Sequence, residues 1–112
     1  MQNIHKKSFN SPDETATPGE NIKIDTISQA GIKIQRITAA PGWKWSESLR
    51  PVVGTETCEK HHLIYMLSGK LASKMTDGTE LEFETGEIGE IPPGHDGWTV
   101  GSEDAVWLEI PR

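Results

Sequence analysis

An all-β, single-domain fold is what this sequence predicts, and three observations carry the expectation. Apolar and polar residues alternate in short runs. Gly, Pro and Asp separate those runs at regular intervals. No window shows a convincing 3.6-residue period. Together they favour a small β-barrel or sandwich of about eight strands, and 112 residues supply one domain rather than two.

The segment 1–20 is nearly all polar. It carries two turn-like clusters, Ser11-Pro12-Asp13-Glu14 and Thr17-Pro18-Gly19-Glu20. It is read as a flexible N-terminal arm, with Ile4 and Phe9 available to dock, ahead of a barrel over 21–112. Ile22-Lys-Ile-Asp and Ile32-Lys-Ile-Gln alternate as half-buried strands, separated at Ala30-Gly31. Ala40-Pro41-Gly42 ends the second as a turn. Trp43-Lys44-Trp45 places two indoles on one face of an extended piece. The stretch 46–57 contains Pro51 and Gly54 without a clear period and reads as loop.

His61 to Leu67 is apolar on both faces, as in a buried strand. Lys70 to Met75 follows, then the tight-turn pair Asp77-Gly78. In Thr79-Glu-Leu-Glu-Phe-Glu, Leu81 and Phe83 are expected inward and Glu80, Glu82 and Glu84 outward. Glu87 to Ile91 ends in Pro92-Pro93-Gly94, where proline stops the ladder and glycine lets the chain turn. That turn delivers His95 to the next strand. Trp98 to Val100 and Ala105 to Ile110 complete the set, with Val106, Leu108 and Ile110 on one face.

Seventeen acidic residues against eleven basic ones give a net charge of −6, which repels phosphate backbones and argues against nucleic acid. No apolar run is long enough for a bilayer span, and no charged-then-apolar leader opens the chain. A single cysteine, Cys58, forms no internal disulfide. Cytoplasmic location, no membrane partner and a homodimer that buries extra apolar surface are the expectations.

Two stretches then stand out: Glu56-Thr-Cys58-Glu-Lys-His61-His62 through Gly69, and Gly86 through Pro92-Pro-Gly94-His95-Asp96-Gly97-Trp98. Their layout resembles the cupins, small jelly-roll β-barrels. Gly86, Pro92 and Gly94 match the second cupin motif, and its histidine position falls on Gly97, two residues after His95. Counted back from Gly69, the glutamate position of the first motif is His62 and its histidine positions are Cys58 and Glu56. Scaffold positions therefore match, while the ligand positions carry other residue types. Pro41-Gly-Trp43-Lys-Trp45-Ser, Gly54-Thr-Glu-Thr-Cys58 and Pro92-Pro-Gly-His95-Asp96 further resemble a group of bacterial single-domain cupins of unassigned biochemical role. The resemblance implies a single-domain, jelly-roll double-stranded β-barrel.

In the cupin layout the faces carrying Cys58, His62 and His95 look into the barrel, with Glu56 as a fourth candidate. Thiolate, imidazole and carboxylate form a donor set for a divalent transition metal, zinc suiting it best and Fe, Ni or Mn also compatible. The plainer alternative is a small buried Cys and a His bonded to a backbone carbonyl. Asp96 either fixes the His95 tautomer or satisfies turn donors. Trp43, Trp45 and Trp98 either wall a ligand pocket or plug the barrel, and Trp107 is expected against a neighbouring sheet or subunit. Arg50 and Lys44 either receive a substrate carboxylate or are solvated loop charges. Two functions remain open: a metal-dependent enzyme on a small polar substrate, and a non-catalytic binding or sensor module for a small-molecule ligand, with or without metal.

Overall fold

The computed structural model describes residues 3–111. Among them nine strands form two sheets: β1 (Glu14–Gly19), β2 (Ile22–Gln29), β3 (Ile32–Ala39), β4 (His62–Ser68), β5 (Lys70–Met75), β6 (Glu80–Glu84), β7 (Ile88–Ile91), β8 (His95–Thr99) and β9 (Ala105–Glu109). The larger sheet runs β1-β2-β3-β9-β4-β7 and the smaller β6-β5-β8. From β4 onward the chain passes from one sheet to the other and back, in the manner of a jelly roll. Gly69 makes the first of these crossings at φ 70°. A Cβ there would lie 2.1 Å from the Asp104 carbonyl oxygen, so only glycine fits.

The segment read as an arm contains a strand. Glu14–Gly19 pairs antiparallel with β2, Thr15 opposite Asp25 and Gly19 opposite Ile22. Pro18 is tolerated because β1 is the edge of its sheet. Residues before it lie against the outer face of β2 and β3. Lys7 Nζ donates to the Ser28 carbonyl (2.6 Å) and pairs with Asp13 (2.9 Å). Arg36 donates to the Phe9 carbonyl and lies over the Phe9 ring. Ile4 remains exposed and docks on nothing.

Two further expectations change. Residues 45–53 form two short helical turns, α1 (Trp45–Ser48) and α2 (Arg50–Val53), ended by Gly54 at φ 86°. Four residues each are too few to leave a periodic signal. Leu81 is 62% exposed, although it shares a face with buried Phe83. It lies on β6, an edge strand, whereas Phe83 packs over Gly89, where a Cβ would come within 2.5 Å of the ring. His62–Ser68 likewise buries only one side: Ile64 and Met66 are in the core, Tyr65 and Leu67 at the surface.

The core lies between the sheets and is built on Ile22, Ile37, Ile64, Met66, Leu71 and Trp107, with Trp43 and Trp45 closing it from the side. Outside that core, Asp25 is buried and receives Arg36 at 2.9 Å and Thr15 at 2.8 Å. Burial pushes the Asp25 carboxyl up. The Arg36 and Thr15 hydrogen bonds and the Lys23 and Arg36 charges outweigh it and hold the group below the usual carboxylate range. A depressed carboxylate stabilises the fold above its unfolded value and loses that contribution as pH falls through its native value. Asp25→Asn is expected to cost about 2 kcal/mol at pH 7, less than a fully buried pair because Arg36 is partly exposed. The penalty should shrink below pH 3, as read from urea unfolding midpoints.

Candidate metal centre and cavity

The turn Pro92-Pro93-Gly94 positions the site. Gly94 takes φ 93°, and its N–H donates to the Cys58 carbonyl at 2.8 Å. Cys58 N–H donates in turn to the His95 carbonyl at 2.8 Å. Cys58 and His95 are thus joined by an isolated antiparallel bridge, which holds the loop before β4 against the start of β8. His62 opens β4 across the barrel.

Cys58, His62 and His95 converge, their ligand atoms all within 4.8 Å of one another. His62 Nε2 lies 3.6 Å from Cys58 Sγ. The two imidazoles meet edge to face at 5.0 Å between centroids. His95 Nδ1 lies 2.6 Å from the Pro92 carbonyl oxygen, which can only accept, so that nitrogen carries the proton. His62 Nδ1 lies 2.6 Å from Glu109 Oε1 and donates to it. Both rings therefore turn Nε2 toward the thiol.

Tetrahedral zinc with sulfur and nitrogen ligands separates its donor atoms by roughly 3.4–3.6 Å; the Cys58–His62 pair stands at that separation, all three donors lie within 4.8 Å, and the acceptor-held Nδ1 atoms suit such an ion. Cys58, His62 and His95 would hold it. Glu56 does not join them. Its side chain is 97% exposed and lies 3.9 Å from Arg50. The stretch 56–61 is not a continuous strand, so the alternation that would have aimed Glu56 inward does not operate.

The cluster opens into a cavity of about 350 Å³ between the sheets. Ile22, Ile37, Ile64 and Leu71 make much of its wall, with Trp43, Trp45 and Trp107. Trp43 and Trp45 are where the ligand-pocket expectation put them. Trp98, Asp96 and Arg50 are not. Trp98 alternates with His95, Gly97 and Thr99 on β8 and so faces outward, with Lys44 Nζ 5.8 Å from its ring. Asp96 Oδ1 accepts from the backbone N–H groups of Ser46 (3.0 Å) and Gly97 (2.8 Å), satisfying a donor that the first turn of α1 leaves unpaired. Arg50 begins α2 beside Glu56. His61 pairs with Glu90 at 2.8 Å.

Glu109 was not anticipated, and Trp107 was expected against a neighbouring sheet or subunit rather than in the cavity wall. Trp107 and Glu109 face inward on β9, opposite to Val106 and Leu108. Trp107 packs 6.1 Å from Trp43, and its Nε1–H donates to Glu109 at 2.8 Å. An acid two residues after a tryptophan on an otherwise apolar strand was the available signal.

The electrostatics follow from this packing. Burial opposes ionisation of Cys58 and is the largest influence on it. Hydrogen bonds from His62 and His95 and from the Lys60 backbone outweigh it, lowering the thiol to about 6. Burial also acts most strongly on His62, downward, but Cys58 and Glu109 raise it to about 9. Glu109 is pushed up by burial and brought below its ordinary value by His62, Lys60 and Trp107.

No family model matches the sequence, and no curated protein matches it. Solved structures do. A Rhizobium leguminosarum protein of unknown function is 22% identical over 99% of this chain and 100% of its own, with a TM-score of 0.65. The cupin domain of Schizosaccharomyces pombe Cnp3 is 13% identical, covering 92% of this chain and 70% of that one, at TM-score 0.60. An oxalate decarboxylase from Lactobacillus farciminis, solved with formate, is 17% identical over 86% of this chain but only 30% of its own length, at TM-score 0.59. The fold is therefore a cupin-like, all-β jelly roll. Among the described residues no helix is long and apolar enough to cross a membrane.

A lowered thiol pKa keeps the reactive thiolate populated down to the lowered value. In metal-free protein, alkylation of Cys58 by iodoacetamide should fall to half its plateau rate near pH 6, against about 8.5 for an ordinary cysteine. His62→Asn should move the half-point upward, as measured by rate against pH.

Proposed function

We propose that this cupin binds one divalent transition metal ion, zinc by preference, through Cys58, His62 and His95, and takes a small, largely apolar ligand in the adjoining cavity. One observation carries the reading: three donor atoms from separate parts of the chain converge, with both rings' Nδ1 atoms already held by acceptors. A neutral imidazole with its Nδ1–H bonded to a carboxylate or carbonyl is oriented as a metal ligand. Glu109 and the Pro92 carbonyl fill that role here. When bound, the ion supplies a Lewis acid with coordination positions that protein atoms do not fill.

The chain's own residues bind and enclose. Trp43, Trp45 and Trp107 present flat apolar surface, and β2, β3 and β4 supply aliphatic walls. Glu109 is committed to His62 and Trp107, which leaves no free buried carboxylate among the described cavity residues for proton transfer. That favours binding or sensing over turnover. The enzyme reading remains the second one, resting on the metal as electrophile. A homodimer is supported by the exposed apolar strip of Tyr65, Leu67 and Ile88 on the outer wall.

Protein purified from metal-supplemented cells is expected to hold one ion per chain. Cys58→Ser, His62→Ala and His95→Ala should each lose it, and Glu109→Gln should weaken affinity by about 10–100-fold. Cobalt replacement should give a thiolate charge-transfer band that Cys58→Ser abolishes. Parent protein without metal after reconstitution, or metal retained in all three variants, would overturn the reading.

A further inference from the structure

Trp43 is 5% exposed and lines the cavity, yet its buried Nε1–H has no hydrogen-bond partner. Trp107, facing it at 6.1 Å, has its own indole N–H satisfied by Glu109 at 2.8 Å. A buried donor without an acceptor is disfavoured, and each such group asks for an explanation. The indole donates only, so the missing partner is an acceptor.

Its placement limits what that partner belongs to. The far edge of the Trp43 ring, Cζ3 and Cη2, lies 3.9 and 4.0 Å from where a Cβ on Gly97 would stand. Gly97 and His95 share the buried face of β8, and two residues along a strand span roughly 6.6 Å. Trp43 thus packs against β8 two residues along from His95, in the same cavity as the metal-binding cluster. The cavity, about 350 Å³, is at the small end of ligand pockets, which run from about 300 to 1,000 Å³. Its charged groups are already engaged: Glu109 with His62, Lys60 with Glu109 at 3.5 Å from a half-exposed position, and exposed Glu59 with Thr57 at 2.9 Å.

We propose that Trp43 Nε1–H is a polar anchor for the cavity's ligand, and that the ligand is a neutral, ring-sized, mainly apolar molecule bearing one carbonyl-type oxygen. This rests on reading the barrel interior as a ligand site, and it names the class of ligand. The anchor is independent of the ion: the oxygen goes to the indole and the apolar body to the walls formed by Trp45, Trp107 and Ile37.

The test uses two probes of the same shape, acetophenone and α-methylstyrene, the second with a methylene in place of the oxygen. They are titrated by NMR and calorimetry into the full chain, with metal loaded and after chelation. Acetophenone should move the indole N–H signal that is missing in Trp43→Phe, and α-methylstyrene should not. The parent should favour acetophenone by about tenfold, the worth of one buried hydrogen bond. Trp43→Phe should erase that preference, bringing the two probes to equal affinity, and the pattern should survive chelation.

A preference retained in Trp43→Phe, one abolished by chelation alone, or failure of both probes to bind would overturn the proposal. Stoichiometric metal in those cases would leave the metal reading standing. A Trp43-dependent preference in protein that takes up no metal would sink the metal reading alone. If Trp43→Phe does not fold, the parent's indole signals, assigned through Trp98→Phe and Trp45→Phe, decide the matter with the same probe pair.

Discussion

The buried carboxylate of Glu109 is the constraint around which the barrel interior is arranged. It sits on β9, between β3 and β4 in the larger sheet. A negative charge in that position is tolerated only because donors surround it. Trp107 Nε1 and His62 Nδ1 each give it a hydrogen bond, and Lys60 stands beside it. Through those bonds one side chain orients the His62 and Trp107 rings and raises the imidazole that stands against Cys58. The polar cluster and the aromatic wall are therefore parts of one hydrogen-bonded unit, although they read as separate features along the chain.

The second requirement is that distant segments be brought to the same end of the barrel. Backbone geometry does this before any side chain contributes. Gly69 lets the chain leave one sheet for the other in a single residue. The Pro92-Pro93-Gly94 turn makes the same crossing again, from β7 to β8, and the Cys58–His95 bridge fastens the loop before β4 to the first residue of β8. The same turn supplies the carbonyl that orients His95. Because the paired residues are themselves members of the cluster, the thiol and the imidazole are neighbours by virtue of main-chain pairing and need no long side-chain reach.

Much of this was legible in the sequence because strand alternation and turn chemistry are local. The paired Gly/Pro/Asp turns and the alternating strands follow from patterns a few residues long, whereas the meeting of Cys58, His62 and His95 was implied by the resemblance to the cupin layout. The failures share a cause. Glu56 and Leu81 were placed by a period-two rule, which holds only inside an unbroken strand and only where another layer covers the face. Trp98, Asp96 and Arg50 lie near the site along the chain but face away from it or serve the backbone. The α1 and α2 turns are shorter than the pattern that would announce them. Glu109 was missed because its His62 partner is 47 residues away and the one local mark, an acid two residues after a tryptophan on an apolar strand, is faint. The strand at Glu14–Gly19 was hidden by Pro18, which an edge position accommodates.

The close fit of Trp43 against Gly97 has a consequence for how such barrels diverge. Residue 97 is where the cupin pattern would set an imidazole, and the indole fills the volume that ring would need, within 4.0 Å of the glycine's missing methyl carbon. A side chain longer than a methyl at residue 97 would compete with the indole for that volume. With glycine at 97 and the imidazole two places nearer the turn, this volume goes to an aromatic, so donor identity and chamber shape are coupled in this chain.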